Sequence, residues 1–297
     1  MVCYLPSLIL IAGLNVSITT ICKVLEVGRV RRDAGALFGE LPFNDWYKSF
    51  ITGYKQAEQV AESMPMSRDR HIFLPANVLS IRTESDHILI DTGTPAVHED
   101  QAAEDWSGSR LRQQLKTVNS GLKDITKVVL TSFDIDHAGG LTHLGRAGDL
   151  IYSFPHAEVF YHTNDKQRQR PRTIATANEA TDLLAVNPQH PCSEMTEIAP
   201  GITLHPVFGP SLQGSIVEIN RGADRLLYLG DLCPTVYHIN TSIISAFDDN
   251  PEVSHEERSH WIQIAEDNGY KVMFGHGAKI KTARLERQKR GLVVKPG

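Results

Sequence analysis

The chain has 297 residues, 41% of them hydrophobic and 22% charged, with a formal net charge of −5. That is enough apolar material for one large α/β domain or two small ones. The slightly acidic balance argues against a nucleic-acid partner: the only basic stretch is the tail from Lys279 to Arg290, which reads as a solvated helix face. Cys3, Cys22, Cys192 and Cys233 form neither a CxxC pair nor a dense framework, which suits a reducing, cytoplasmic setting. Cys233 is read as a small buried hydrophobe.

In chain order, Val2 to Cys22 carries no charge and includes Leu8-Ile9-Leu10-Ile11-Ala12-Gly13-Leu14. It has no clear basic n-region or cleavage site, and Pro6, Asn15 and several Ser and Thr residues weaken a membrane span. Residues 1–20 are taken as a strand-forming extension or an upstream start choice, and 21–297 as a single domain; a secreted or anchored form stays open. Ile21 to Val30 reads as a strand and Asp33 to Pro42 as a loop. Asp45 to Glu62 reads as a helix or a surface excursion, with Trp46, Tyr47, Phe50 and Tyr54 as packing residues. Asn77–Thr83 and His87–Asp91 flank Glu84-Ser85-Asp86 as a hairpin. Ser109–Val118 has helical spacing, and Val128–Leu130 and Ala157–Tyr161 are strands. Asn164–Val186 is polar and reads as an inserted lid. Ile202–Val207, Ser215–Ile219 and Arg225–Leu229 are strands in quick succession. Ser254–Asn268 is a helix, capped by Ser254 with Glu256 and Glu257 in its first turn. Lys271–Phe274 is a strand running into Gly275-His276-Gly277. Two groups of strands with helices between and after them predict two sheets covered by helices.

The densest chemistry follows the strand at Val128–Leu130, in Thr131-Ser132-Phe133-Asp134-Ile135-Asp136-His137-Ala138-Gly139-Gly140. Acids crowded at a strand end repel unless a cation or a proton sits among them. Asp91, Asp134, Asp136, His137, Asp231 and His276 each follow an apolar run and sit beside a glycine or another turn element, where a rigid sheet can present them together. For any one of these residues, capping a turn is the simpler role, and for Asp91 the two roles weigh nearly equally. As a group they point to a site.

Ile88-Leu89-Ile90-Asp91-Thr92-Gly93, Thr131 to Gly140, Leu229-Gly230-Asp231 and Phe274-Gly275-His276 together resemble the successive motifs of the metallo-β-lactamase superfamily. Asp33-Ala34-Gly35-Ala36-Leu37-Phe38-Gly39 and Gly230-Asp231-Leu232-Cys233-Pro234-Thr235 with His238 resemble its N-acyl homoserine lactonase-like branch. The resemblance runs from about Ile21 to about Gly277. It implies an α+β fold, a four-layer αββα sandwich with the active site at one edge.

The chain departs from the family pattern at the His-x-His-x-Asp-His motif, which here reads Ser132, Asp134, Asp136 and His137. A third metal histidine is expected in the turn Phe208-Gly209-Pro210-Ser211-Leu212-Gln213-Gly214, which places Pro210 or, shifted by one, Gly209 at the ligand position. In the family, the three missing imidazoles serve the first metal. The second uses the counterparts of Asp136, His137 and His276, with the counterpart of Asp231 bridging both. The resemblance therefore implies one divalent ion, zinc before iron or manganese, held by Asp136, His137, Asp231 and His276, with Asp134 as a further carboxylate. Asp136 or Asp134 is expected to act as general base or proton shuttle. Tyr237 and His238 are candidate oxyanion donors, His238 being equally an ordinary helix histidine. The implied activity is hydrolysis of an ester, lactone or thioester of a small-molecule substrate. A reassigned biosynthetic enzyme catalysing a rearrangement or elimination, and a non-catalytic binding member, are the alternatives. Asp45–Arg70 and Asn164–His190 are expected to wall the pocket or form a homodimer contact.

Overall fold

A computed structural model describes residues 20–39, 67–95, 109–145, 147, 150–163, 188–212, 214–221, 224–288 and 291–297. The N-terminal extension up to residue 19, the excursion over Asp45–Glu62 with its four aromatic residues, and the lid at Asn164–Val186 lie outside the described residues.

The first sheet contains β1 (Ile21–Asp33), β2 (His71–Arg82), β3 (His87–Ile90), β4 (Lys127–Leu130), β7 (Glu158–His162) and β8 (Gln189–Cys192), in that spatial order. β1, β2 and β3 pair antiparallel, and β3, β4, β7 and β8 pair parallel. The predicted hairpin at Glu84-Ser85-Asp86 is the β2–β3 connection. β5 (Thr142–Leu144) and β6 (Leu150–Tyr152) form a small separate ribbon. The second sheet has the order β15 (Gly291–Pro296), β14 (Thr282–Gln288), β13 (Lys271–Met273), β12 (Asp224–Tyr228), β11 (Gly214–Arg221), β10 (Ile202–Val207) and β9 (Thr196–Ala199). Its one parallel pair is β12 with β13.

Alternation along the strands builds three apolar layers, because successive side chains of a strand point to opposite faces. Ile88, Ile90 and Val129 of the first sheet meet Val217, Ile219, Tyr228 and Met273 of the second in the central layer. Leu89, Val128 and Leu130 face outward onto Leu111 and Leu115 of α2 (Leu111–Thr117). Leu227, Leu229 and Val272 face outward onto Ile262 and Ala265 of α4 (Pro251–Asn268). Each buried Val, Leu, Ile or Met side chain among these contributes about 1.5–3 kcal/mol by leaving water. Strands buried on both faces are continuously apolar, so the runs at Ile88–Ile90 and Val128–Leu130 stand out in the sequence. The result is the expected αββα sandwich.

Three local expectations are corrected. Asp33 does not open a loop: it caps α1 (Ala34–Phe38), its Oδ1 accepting from the Ala36 N–H at 2.7 Å. α4 begins at Pro251, with Asn250 as N-cap and Glu252 as the acid of its first turn; Ser254 is inside the helix and fully buried. Proline suits the first helical position, because its missing N–H would be unpaired there in any case. The basic tail is not a helix face, since Thr282–Gln288 forms β14 between β13 and β15. Ala283 and Leu285 point inward while Arg284 and Glu286 face solvent, a period of two. Among the described residues no helix is long and apolar enough to cross a membrane.

Candidate metal centre

Parallel pairing aligns strand ends, and this decides where the motifs meet. β3 and β4 end together, delivering Asp91 and the Thr131–Gly140 stretch, while β12 and β13 deliver Asp231 and His276 from the opposite sheet. The sheets are stitched at this edge: Ser215 N–H donates to Thr131 O (2.8 Å), Asn77 N–H to Gly275 O (2.9 Å), and Asn77 Nδ2 to Gly277 O (2.8 Å).

Asp91 supports the centre from beneath. It holds a left-handed φ of 61° and is 1% exposed. Its carboxylate accepts from Thr131 N (2.8 Å), Thr131 Oγ1 (2.7 Å), Tyr228 OH (2.7 Å) and His137 Nδ1 (2.9 Å). Thr92 N–H (2.6 Å), Thr92 Oγ1 (2.9 Å) and Gly93 N–H (3.2 Å) all donate to the His137 carbonyl, fixing the short helix α3 (Ile135–Ala138) against this loop. Gly93 is required here: its φ is 76°, and a Cβ would lie 2.1 Å from the Val27 side chain.

The two imidazoles are oriented alike. His137 donates from Nδ1 to Asp91, which leaves Nε2 facing Asp231 Oδ2 at 3.1 Å. His276 donates from Nδ1 to the Pro75 carbonyl at 2.8 Å, placing Nε2 3.2 Å from Asp231 Oδ1 and 3.6 Å from Asp136 Oδ2. Asp136 Oδ2 accepts from Arg32 Nη2 at 2.6 Å, and its Oδ1 is buried without a hydrogen-bond partner among the described residues. One ligand atom each from Asp136, His137 and His276 lies within 4.8 Å of the others. Two Nε2 atoms aimed inward, with a buried carboxylate that leaves one oxygen without a partner close to them, fit a divalent cation of borderline hardness; a histidine held through its other nitrogen is the usual arrangement of a metal ligand.

The charges are tightly interlocked. Burial works to lower the pKa of His137, but Asp231 and Asp91 outweigh it and raise that pKa well above the usual imidazole range. Burial works to raise Asp231, which His137 and His276 nevertheless hold well below the carboxylate range. Asp136 is lowered too, Arg32 and the two imidazoles overcoming its burial. Asp134 behaves oppositely: burial first, then Asp136 and Asp231, push it up to about 6. Tyr228 is raised well above 10 by burial and by Asp91, so it remains a donor.

The side that lacks imidazoles is filled differently. Ser132 Oγ accepts from the Asp134 N–H at 3.1 Å, a local turn contact. Pro210 lines the cavity. Gly209 packs on α4, where a Cβ would lie 2.3 Å from Ser254 Cα, so no histidine fits at that position. The cavity has a volume of about 420 Å³ and is bordered by Asp134, Asp136, Asp231 and His276, together with Arg32 and Phe247. That is the scale of a small-molecule pocket.

Tyr237 and His238 are not brought to this cavity. Both are fully buried. The Tyr237 ring packs edge-on to Phe38 at 5.7 Å. His238 Nε2 donates to the Leu37 carbonyl at 3.1 Å, and its Nδ1 accepts from Thr235 Oγ1 at 2.9 Å. Sequence reasoning passed over Arg32 and the anchors Thr131 and Tyr228. A basic pair at the end of β1, Arg31-Arg32, is the available signal for the first; Thr131 is the first residue after β4 and Tyr228 the last of β12, and neither residue type marks an anchor.

A family model described as the Metallo-beta-lactamase superfamily matches residues 71–278. A search of curated protein sequences gave no match. Among solved structures, a protein from Staphylococcus aureus described as a probable metal-dependent hydrolase superposes with a TM-score of 0.73 at 22% identity, covering 94% of this chain and 97% of the other. AidC, a dizinc quorum-quenching lactonase, gives 0.67 at 15% identity, with 94% and 97% covered. An N-acyl homoserine lactone hydrolase, with product bound at its catalytic metal centre, gives 0.63 at 16% identity, with 88% and 94% covered.

Proposed function

Since the chain belongs to the metallo-beta-lactamase superfamily, we propose that it is a hydrolase of an ester, lactone or thioester, working with one divalent ion held by Asp136, His137, Asp231 and His276. Zinc is the first choice, and iron or manganese would also suit this ligand set. The observation that carries the reading is the matched orientation of the imidazoles: each spends Nδ1 on a protein acceptor and turns Nε2 toward Asp231. The lactonases among the structural neighbours support the lactone end of the substrate range.

An ion held by these residues would supply Lewis acidity for a carbonyl and would lower the pKa of a water to roughly 7. The chain's own residues do the rest. Asp91 and Pro75 hold the imidazole tautomers. Asp136 is committed to Arg32 through one oxygen. Asp134 lines the cavity, and no side chain among the described residues pairs with its carboxylate, so it is the group placed to carry a proton to the leaving oxygen or sulfur. Tyr237 and His238, enclosed behind the cavity wall, have no role in this scheme.

Elemental analysis of the purified protein tests the reading. About one divalent ion per chain is expected, lost in Asp231→Ala together with hydrolysis of a panel of esters, lactones and thioesters. Full hydrolysis by metal-free protein would sink it. The non-imidazole residues Ser132, Asp134 and Pro210 favour a second reading, a chemistry reassigned to rearrangement or elimination; metal-free protein inert toward the whole panel leaves that reading or a binding role.

A further inference from the structure

We propose that a second cavity, at the end of the sandwich away from the metal centre, binds the phosphoryl group of a small molecule through Arg225, Lys271 and Arg284. This site stands apart from the hydrolase reading above.

β12 and β13 run side by side toward Asp231 and His276, so Arg225 and Lys271, at their starting ends, lie at the opposite end of the fold. A cavity of about 390 Å³ is found there, bordered by Lys23, Arg225, Lys271 and Arg284. No acidic residue borders it among the described residues. Leu79 and Leu226, members of the central apolar layer, border it as well.

The strand register brings the cations together. Lys271 pairs with Leu226 of β12 on one side and with Arg284 of β14 on the other. Directly opposite residues share a face of the sheet, and Leu226 marks that face as the inner one. Two like charges therefore stand opposite each other, which disfavours the fold unless an anion lies against them. The arginines are held by consecutive carbonyls at the end of α4: Arg225 Nη1 donates to Asn268 O at 2.9 Å and Arg284 Nη1 to Gly269 O at 2.6 Å. Each contact uses one of the several N–H donors of a guanidinium. None of the four cations forms an ion pair among the described residues. The main chain of Gly297 accepts from Thr282 Oγ1 at 3.0 Å, and a Cβ on it would lie 3.4 Å from Lys271 Cδ and Cε. Counted in full, the carboxylate of Gly297 still leaves most of this positive charge uncompensated. A phosphoryl group suits the gap, because it carries nearly two negative charges and offers oxygens that match the fork of a guanidinium. Leu79 and Leu226 give the carbon skeleton of a phosphate ester a surface to rest on, which a bare ion would not use.

The test is equilibrium dialysis of the full chain against radiolabelled inorganic phosphate in a constant chloride background. Wild type is expected to bind phosphate at millimolar concentration or below, and unlabelled glycerol phosphate is expected to displace it. Lys271→Met and Arg284→Gln are each expected to weaken binding by at least about tenfold, as the loss of a charge-assisted contact requires. Asp231→Ala is expected to bind phosphate as wild type does, because the metal centre lies at the other end of the strands. Lys271 makes no hydrogen bond or ion pair among the described residues, so Lys271→Met decides should Arg284→Gln not fold. No binding by wild type, or equal affinity in wild type and Lys271→Met, overturns the proposal. Loss of binding in Asp231→Ala also overturns it, by placing the anion on the metal centre. Phosphate bound with glycerol phosphate unable to compete overturns the assignment to a phosphorylated small molecule.

Discussion

At Asp91 a single buried carboxylate accepts from Thr131 twice, from Tyr228 and from His137, so every partner around it is a donor. An amide in its place would turn an NH2 toward donors, and the His137 ring would lose the tether that directs Nε2 to the site. Asp91→Asn is therefore expected to lower metal affinity by about 10–100-fold, the usual cost of removing a partner that orients a ligand. Competition with a chromophoric chelator measures this, and an unchanged affinity would mean that the His137 ring is oriented by other contacts. Asp91 also illustrates the limit of a strand-end motif. Its sequence setting matches that of Asp136 or Asp231, yet its carboxylate is spent on Thr131, Tyr228 and His137 and does not reach the candidate ligand cluster.

Among the elements, α4 carries the most consequence for the site. Its fully buried Arg258 donates to the Leu232 carbonyl at 2.6 Å and to the Ile243 carbonyl, pinning the turn that presents Asp231. The helix starts where Asn250 Oδ1 accepts from the Val253 N–H at 3.3 Å. Asn250→Ala is expected to destabilise the protein by about 1 kcal/mol, and Asn250→Asp to leave stability nearly unchanged. Urea unfolding midpoints separate the two; equal losses would mean that the cap side chain is not what starts the helix. Glu257 on the same helix accepts from the Phe208 and Gly209 N–H groups at 3.0–3.1 Å, tying α4 to the turn that carries Pro210. One helix thereby braces two of the loops around the cavity.

For the molecule as a whole, buried histidines shape the response to acid. His238 is driven down to about 3 by burial, aided by the charge of Arg258, against 6.5 for the free group. Between those values the unfolded chain binds a proton that the native protein refuses. Stability from this group is thus complete above 6.5 and falls as the pH drops toward 3, by up to about 1.4 kcal/mol per pH unit. His87, lowered to about 4 by burial and Arg82, acts in the same direction. Asp248, raised to about 6 mainly by burial, opposes them, because its native form takes up a proton first as the pH falls. His238→Gln is expected to flatten the loss of stability between about pH 7 and pH 5 relative to wild type. Unfolding curves recorded with a chelator present, so that metal binding adds no pH dependence of its own, check this. An unchanged slope would show that folding leaves the proton affinity of this ring unaltered.

Much of the architecture was readable because burial on both faces leaves its mark in the chain. The runs Ile88–Ile90, Val128–Leu130 and Leu226–Leu229 are apolar throughout, and each ends in a turn bearing a titratable residue. The tail at Thr282–Gln288 is rich in charge, which suits a solvated helix as well as a strand, and the alternation of Ala283 and Leu285 acquires meaning only beside β13. By itself, then, the sequence determined which side chains a cation site could draw on: Asp136, His137, Asp231 and His276 are present, and imidazoles are absent at Ser132, Asp134 and Pro210. Only the tertiary structure decided which atoms meet. It set Arg32 against Asp136 across 104 residues of chain, and it enclosed His238 in the core behind the cavity. Ligand chemistry belongs to single residues and is written in their identities; pairing and burial arise from contacts between distant segments, which no local pattern of residues encodes.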